Sequence, residues 1–310
     1  MSTSAHTPSP TILGLGRMGA NMARRLARGG LRVHGFDPSE AARNTLAQEA
    51  GVVLHDSLSK AVQAQPGRRL VWLMLPAGAI TGQTLAALES ELRAGDVLVD
   101  GGNANYLDSQ ARARHWKARQ IDFVDCGVSG GIWGLAEGFC LMAGGADTAI
   151  AALLPLFERL APAPDRGWLH SGPSGAGHFT KMVHNGIEYG MMQSYAEGFA
   201  LMAGNQELKV DLGAMAELWR HGSVVRSWLL DLTATALQDP TAMDKLAPVV
   251  ADSGEGRWTV DEAIRQGTPA PVICAALMAR FSSQGKADTS NRLLALMRKG
   301  FGGHQTVEKS

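Results

Sequence analysis

A short apolar run that ends in Gly14-Leu-Gly16-Arg-Met-Gly19 and leads into a helix-patterned segment constrains this chain more than any other feature. Thr11–Leu15 has the character of a buried strand, and Met18, Met22 and Leu26 recur at four-residue spacing behind the glycines. G-x-G-x-x-G alone is weak evidence, but between a strand and a helix each glycine has its own reason. Gly14 permits the tight turn, Gly16 lets a pyrophosphate approach the backbone, and Gly19 lets the helix pack on the strand. The helix N-terminus then offers unpaired N–H groups to phosphate oxygens.

The pattern repeats. Arg32–Phe36, Val52–Leu54, Leu70–Leu75, Val97–Asp100 and Phe123–Val128 read as strands, with helical patterns at residues 39–49 and Tyr106–Arg119 among them. Leu70–Leu75 is almost continuously apolar, as expected of a strand buried on both faces. Such a βαβα rhythm predicts an α/β fold, a Rossmann-type doubly wound and largely parallel sheet. It stops at the glycine-rich stretch Ser171-Gly-Pro-Ser-Gly-Ala-Gly177. Beyond it, residues 178–204, 211–220, 223–237, 259–265, 271–283 and 288–299 read as helices. We therefore expect a dinucleotide-binding domain over residues 1–172 and an all-helical substrate and dimerisation domain over 173–310, and 310 residues suit two domains.

Charge and composition narrow the partners. Lysine plus arginine equals aspartate plus glutamate at 29 each, which argues against nucleic-acid or membrane-surface binding. No apolar stretch approaches the roughly 18 residues that span a bilayer. Met1–Pro10 lacks both a basic start and an apolar segment and reads as a short flexible leader. The three cysteines form no C-x-x-C, and the nine histidines form no H-E-x-x-H, so a reducing cytoplasm and no metal site are expected.

Asp37 ends the second strand, roughly 20 residues after the glycine loop, where a carboxylate accepts from ribose hydroxyls and repels a 2′-phosphate. That favours NAD over NADP. The alternative is that Asp37, followed by Pro38, only caps the next helix; Ser39 and Arg43 nearby would soften the discrimination. Leu73-Met-Leu-Pro-Ala-Gly78, Asp100-Gly-Gly-Asn103 and Gly127-Val-Ser-Gly-Gly131 each end a strand at the carboxyl edge of the sheet, where open α/β folds bind ligands. Asn103 and Ser129 offer neutral hydrogen bonds to hydroxyls or a carboxylate. In His178-Phe-Thr-Lys-Met-Val-His-Asn-Gly-Ile-Glu-Tyr189, positions 181, 184, 185 and 188 share one helix face. That face carries an amine, an imidazole, an amide and a carboxylate. Phe179, Met182, Val183 and Ile187 fill much of the remaining circumference, so the polar stripe must meet partners or a ligand.

From Gly14 to His304 the chain resembles the 6-phosphogluconate dehydrogenase family, the decarboxylating group within the β-hydroxyacid dehydrogenases. The resemblance rests on Gly177-His-Phe-Thr-Lys-Met-Val-His-Asn-Gly-Ile-Glu-Tyr-Gly190, Gly101-Gly-Asn103, Val128-Ser-Gly-Gly131 and the ending Arg298-Lys-Gly-Phe-Gly-Gly-His304. It looks like the short branch; the long form carries a larger helical domain. The resemblance implies an NAD-dependent oxidative decarboxylation of 6-phosphogluconate, in the cytoplasm, by a homodimer or homotetramer. Lys181 would act as base and then acid, and Glu188 would protonate the enediol. Asn103, Ser129, Gly130, Gly131, Lys181, His184 and Asn185 would hold the sugar acid, and Tyr189, Arg280, Arg298 and His304 the phosphate. His184 and Asn185 are expected in the catalytic group as well. Gly14, Gly16, Arg17, Met18, Gly19, Asp37, Leu75, Pro76 and Asn103 would hold the cofactor. Two departures stand out: Ile132-Trp133 replace the long form's paired glutamates, and Ser253 falls where it has a lysine, with Arg257 nearby. A β-hydroxyacid dehydrogenase acting on 3-hydroxyisobutyrate or gluconate is the alternative; it does not need Glu188-Tyr189 or the Arg298…His304 ending.

Overall fold

The computed structural model describes residues 9–239, 241–302 and 305–307 and, of Phe301 and Gly302, the backbone alone. The chain divides into two compact units, residues 1–182 and 183–310.

The first unit alternates strands and helices: β1 (Thr11–Leu13), α1 (Arg17–Arg28), β2 (Val33–Phe36), α2 (Glu40–Asn44), β3 (Val52–Leu54), α3 (Leu58–Gln63), β4 (Leu70–Leu73) and α4 (Ala79–Leu88). It continues with β5 (Val97–Asp100), α5 (Tyr106–Ala118), β6 (Asp122–Ser129), α6 (Gly134–Glu137), β7 (Cys140–Gly144), α7 (Asp147–Leu160) and β8 (Trp168–Gly172). A long helix, α8 (Ala176–Gly204), starts in this unit and runs on into the second.

The eight strands form one sheet in the order β3-β2-β1-β4-β5-β6-β7-β8. All neighbours are parallel except β6 and β7, which pair antiparallel with Ser129 opposite Cys140 and Asp125 opposite Gly144. Both faces are covered. Ile12, Trp72, Val97, Val99 and Val124 point to the side of α1 and α7, where Met22, Leu26, Leu153 and Phe157 meet them. Their neighbours Leu13, Val71, Leu73, Leu98 and Phe123 point to the other side, toward Val62, Leu88 and Trp116 of α3, α4 and α5. Period-2 alternation with both faces apolar is what makes these strands read as continuous hydrophobic runs.

Two strands escaped the sequence reading. β7 and β8 carry Cys-Leu-Met-Ala-Gly and Trp-Leu-His-Ser-Gly, and β8 is only part-buried. Neither has the apolar continuity of a central strand. Arg25, on α1, binds this later part of the sheet to the first helix. Its guanidinium donates to the carbonyls of Arg159, Leu160 and Ala161 at the end of α7 and to Leu135 and Ala136 in α6. These are carbonyls that a helix end leaves without partners. Desolvation lowers the Arg25 pKa.

In the second unit α8 is followed by α9 (Leu212–Trp219), α10 (Trp228–Ala236), α11 (Glu255–Gln266), α12 (Pro271–Ser283) and α13 (Asp288–Gly302). Residues 223–227, expected to be helical, are not: the Ser227 side chain accepts from Leu230 N–H and caps α10 instead. Hydroxyl capping of this kind starts a helix where the apolar pattern alone would have begun it earlier.

Candidate active site

The cofactor end lies at the carboxyl edge of β1, β2 and β4. Gly14 has a φ of +93°, and a Cβ added there would lie 2.5 Å from the Met74 carbonyl oxygen. At Gly19 it would lie 1.9 Å from the Gly14 oxygen, whereas at Gly16 it would meet nothing within 4 Å. Two glycines are thus held by close packing, and the third fronts open space, as a loop that cradles a pyrophosphate requires. Gly16 caps α1 without a side-chain hydrogen bond, and the first turn holds no acidic residue, so its N–H groups suit an anion. Arg17 is exposed and Met18 half-buried.

Asp37 does more than end β2. Its Oδ2 accepts from Leu15 N–H at 2.8 Å and its Oδ1 from Ser39 N–H at 2.8 Å. It therefore pins the glycine loop while one lone pair per oxygen stays available for ribose hydroxyls. The helix-capping role falls to Ser39, whose Oγ accepts from Ala42 N–H. The Arg43 guanidinium donates to the carbonyl oxygens of Asp37 and Pro38, close behind that carboxylate. Leu75 is half-buried and Pro76 exposed at the end of β4.

At β5 the buried Asp100 carboxylate accepts from Gly102 N–H and from Arg112, at 3.2 and 2.7 Å. A Cβ on Gly101 would lie 2.1 Å from Trp72 Nε1, and one on Gly102 2.4 Å from the Leu75 oxygen. The two glycines press this turn against β4 and leave Asn103 exposed beyond it. On β6, Ser129 closes the strand; Gly130 and Gly131, with φ of +130° and +52°, make the turn that follows. Ile132 and Trp133 are exposed there.

Lys181 is buried on α8 against β6: a Cβ on Gly127 would come within 2.3 Å of the Lys181 Cβ. Further along the helix, Asn185 is buried and its Oδ1 lies 3.0 Å from His184 Nδ1, while Glu188 is half-buried. The helical register puts all four on one face, as their spacing predicts. Within the second unit the Arg280 guanidinium stacks 3.5 Å from the Tyr189 ring centroid. The Tyr189 hydroxyl meets Ser253 Oγ at 3.2 Å and Asp252 Oδ1 at 3.4 Å. Arg257 pairs with Asp252, and Ser253 Oγ donates to Glu255 at 2.5 Å. Burial raises the Asp252 pKa, but Arg257 and the Gly254 N–H outweigh it, and the net shift is downward. Arg298 is exposed on α13, and His304 lies outside the described residues.

Sequence reasoning missed the supports beneath this surface: Asp100 with Arg112, and Asp125 with His178 and Ser109. The available signal was a carboxylate inside an apolar strand, Phe123-Val-Asp125-Cys-Gly-Val, since a buried charge demands partners.

Residues 11–168 match the NAD-binding domain of 6-phosphogluconate dehydrogenase, and residues 177–307 match the C-terminal domain of 6-phosphogluconate dehydrogenase. An NAD(+)-dependent, decarboxylating 6-phosphogluconate dehydrogenase of Haloferax volcanii is 41% identical over 300 residues, covering 96% of this chain and 98% of that protein. A Bacillus subtilis enzyme of the same description is 33% identical over 289 residues, 89% of this chain but only 62% of its own length. Among solved structures, Plasmodium falciparum 6-phosphogluconate dehydrogenase, studied with NADP+ and with 6-phosphogluconate, superposes with a TM-score of 0.83 at 27% identity. That match covers 97% of this chain and 66% of the Plasmodium chain.

Proposed function

Since the chain belongs to the 6-phosphogluconate dehydrogenase family and its first unit is an NAD-binding domain, we propose that it converts 6-phospho-D-gluconate to D-ribulose 5-phosphate and carbon dioxide in the cytoplasm. Bound NAD supplies the two-electron acceptor. Gly14, Gly16, Arg17, Met18 and Gly19 hold its pyrophosphate, Asp37 its adenosine ribose, and Leu75, Pro76 and Asn103 its nicotinamide half.

Lys181 takes the proton of the C3 hydroxyl as that carbon becomes a carbonyl. The product is a 3-keto acid, whose bond between C1 and C2 breaks with the electron pair drawn toward the ketone. Protonated Lys181 donates to the ketone oxygen as carbon dioxide leaves. Glu188 then delivers a proton to the carbon that becomes C1 of the ribulose phosphate. Asn103, Ser129, Gly130, Gly131, His184 and Asn185 orient the acid and its hydroxyls. Tyr189, Arg280, Arg298 and His304 take the phosphate, for which guanidinium groups offer forked donors. The observation that carries this reading is the α8 face itself: a buried lysine, a hydrogen-bonded His184–Asn185 pair and a carboxylate two turns on. Acid–base work on both sides of a decarboxylation needs two titrating groups of different character, and this face provides them.

NADH formation from 6-phosphogluconate tests the reading, with gluconate and NADP in parallel. Turnover of 6-phosphogluconate with NAD, and little with gluconate or NADP, is expected. Preference for gluconate overturns the substrate, and a higher kcat/KM with NADP overturns the role of Asp37.

The reading includes assembly as a homodimer or homotetramer. Leu201, Ile264, Val272 and Leu296 of the second unit are each more than 60% exposed, apolar area that packing against a second copy would cover. Light scattering that gives a monomer mass at assay concentration overturns this part.

A further inference from the structure

Asp125 is fully buried in the middle of β6, yet both of its oxygens are engaged. Oδ1 accepts from Gly175 N–H at 2.6 Å and Oδ2 from His178 N–H at 2.8 Å. These N–H groups belong to the opening of α8, where a helix has donors without intrahelical partners. Burial pushes the Asp125 carboxyl up, while His178 and the two N–H groups oppose that shift. The imidazole of His178, also buried, extends the arrangement: its Nδ1 lies 2.7 Å from Ser109 Oγ. The same hydroxyl lies 3.3 Å from the Asn105 carbonyl oxygen, in the turn that carries Asn103. His178 Nε2 has no hydrogen-bond partner among the described residues, so the ring is hydrogen-bonded through Nδ1 alone.

Steric contacts fix the same turn. A Cβ on Gly177 would fall 2.3 Å from the Asp125 carbonyl oxygen and 2.5 Å from that of Met142. One on Gly144 would fall 2.7 Å from Gly177 N. Lys181 comes one helical turn later, pressed on Gly127. Its backbone can neither rotate nor slide unless the opening of α8 moves first.

We propose that Asp125, supported through His178 and Ser109, is the positioning residue for Lys181. It touches no reacting atom. It holds the first turn of α8 against β6 and thereby fixes the height and direction from which the amine works. The proposal rests on the reading of Lys181 as the base. In Asp125→Asn one acceptor oxygen remains, and the other becomes an NH2 facing a backbone N–H. Displacement of about 1 Å from the working geometry costs roughly 100-fold in rate.

The test is a double-mutant cycle on the full chain, reading kcat, the KM for NAD and dinucleotide binding. Asp125→Asn is expected to lower kcat about 10- to 100-fold in the enzyme with Lys181, with the KM for NAD within about twofold. In a Lys181→Met background the same substitution should change the residual rate by no more than about twofold, because the group it positions is gone. Equal factors in the two backgrounds identify a merely structural residue and overturn the proposal. If Asp125→Asn does not fold, Ser109→Ala decides in the same cycle: about threefold with Lys181 present and none without it supports the proposal, and no change in either overturns it. Wild-type turnover by Lys181→Met alone removes the functional reading instead, and the proposal falls with it.

Discussion

Within residues 1–182, one sheet sends alternate side chains to two covered faces, and the buried apolar residues form two large continuous groups. Within residues 183–310, the buried hydrophobic residues fall into two small groups, one around Phe199, Ala216, Leu230 and Ala234, the other around Tyr189, Ala276 and Leu277. Much apolar surface on α8, α11, α12 and α13 stays exposed in the single chain. The difference follows from the elements. A parallel sheet offers two faces that helices from the same chain must cover. A set of helices without a sheet buries one stripe of each and leaves the rest to whatever packs against it. The first unit therefore carries its stability in its own core, while the second carries polar groups on a thinly packed frame.

Removing the amine should separate chemistry from this core most sharply. Lys181→Met is expected to lower kcat by about 10²–10⁴-fold while dinucleotide affinity stays within about twofold, because the glycine loop is untouched. Near-wild-type turnover would refute the assignment of the base. Next in size is a matched pair of truncations. Leu153 and Leu230 are both fully buried, one in each unit. Leu153→Ala should cost about 4 kcal/mol and Leu230→Ala about 2 kcal/mol in urea unfolding, since densely packed neighbours relax less into a cavity. Equal losses would break the comparison between the units.

Arg25→Ala removes the donors shared by five carbonyls and should destabilise the first unit by about 2 kcal/mol, read as a lower urea midpoint without loss of dinucleotide binding. The smallest effect concerns acid. The His34 and His55 rings meet at 3.0 Å in β2 and just after β3. Burial, then His55 and Arg32, lower the His34 pKa to about 4. An unfolded histidine takes its proton near pH 6.5, so below that value the unfolded chain binds the proton first. This contribution to stability is present above about pH 6.5 and is lost as the pH falls toward 4. Replacing the ring in His34→Gln should flatten the fall of Tm between those values; an unchanged slope would show that other groups govern it.

The first six strands were readable because each is a short apolar run set off by turn residues or by helix-patterned segments. β7 and β8 were not readable: Cys140–Gly144 and Trp168–Gly172 lack a continuous apolar run, end in glycine and owe their place to pairing with β6 and with each other. The glycine loop, Gly101–Asn103, Ser129–Gly131 and the α8 face were singled out from residue type and spacing, which are local properties. The supports under them were not, because Asp125 meets residues 50 and 53 positions away, and Ser109 meets one 69 positions away. Nothing in local pattern encodes a partner that distant. The second task of Asp37, pinning Leu15, is hidden for the same reason.

β7 and β8 extend the sheet beyond β6 to its edge, and from there α8 sets out beside Asp125 and Gly144 and passes Gly127 of β6. Each residue of an α-helix turns its successor by about 100°. A helix seated at its origin behaves like a dial whose zero is set there. Point substitutions beyond the first turn leave that zero alone, but a single inserted or deleted residue between Gly177 and Lys181 would swing Lys181 about 100° round the helix axis. Length is therefore held along this stretch as strictly as the identities of Gly177 and His178.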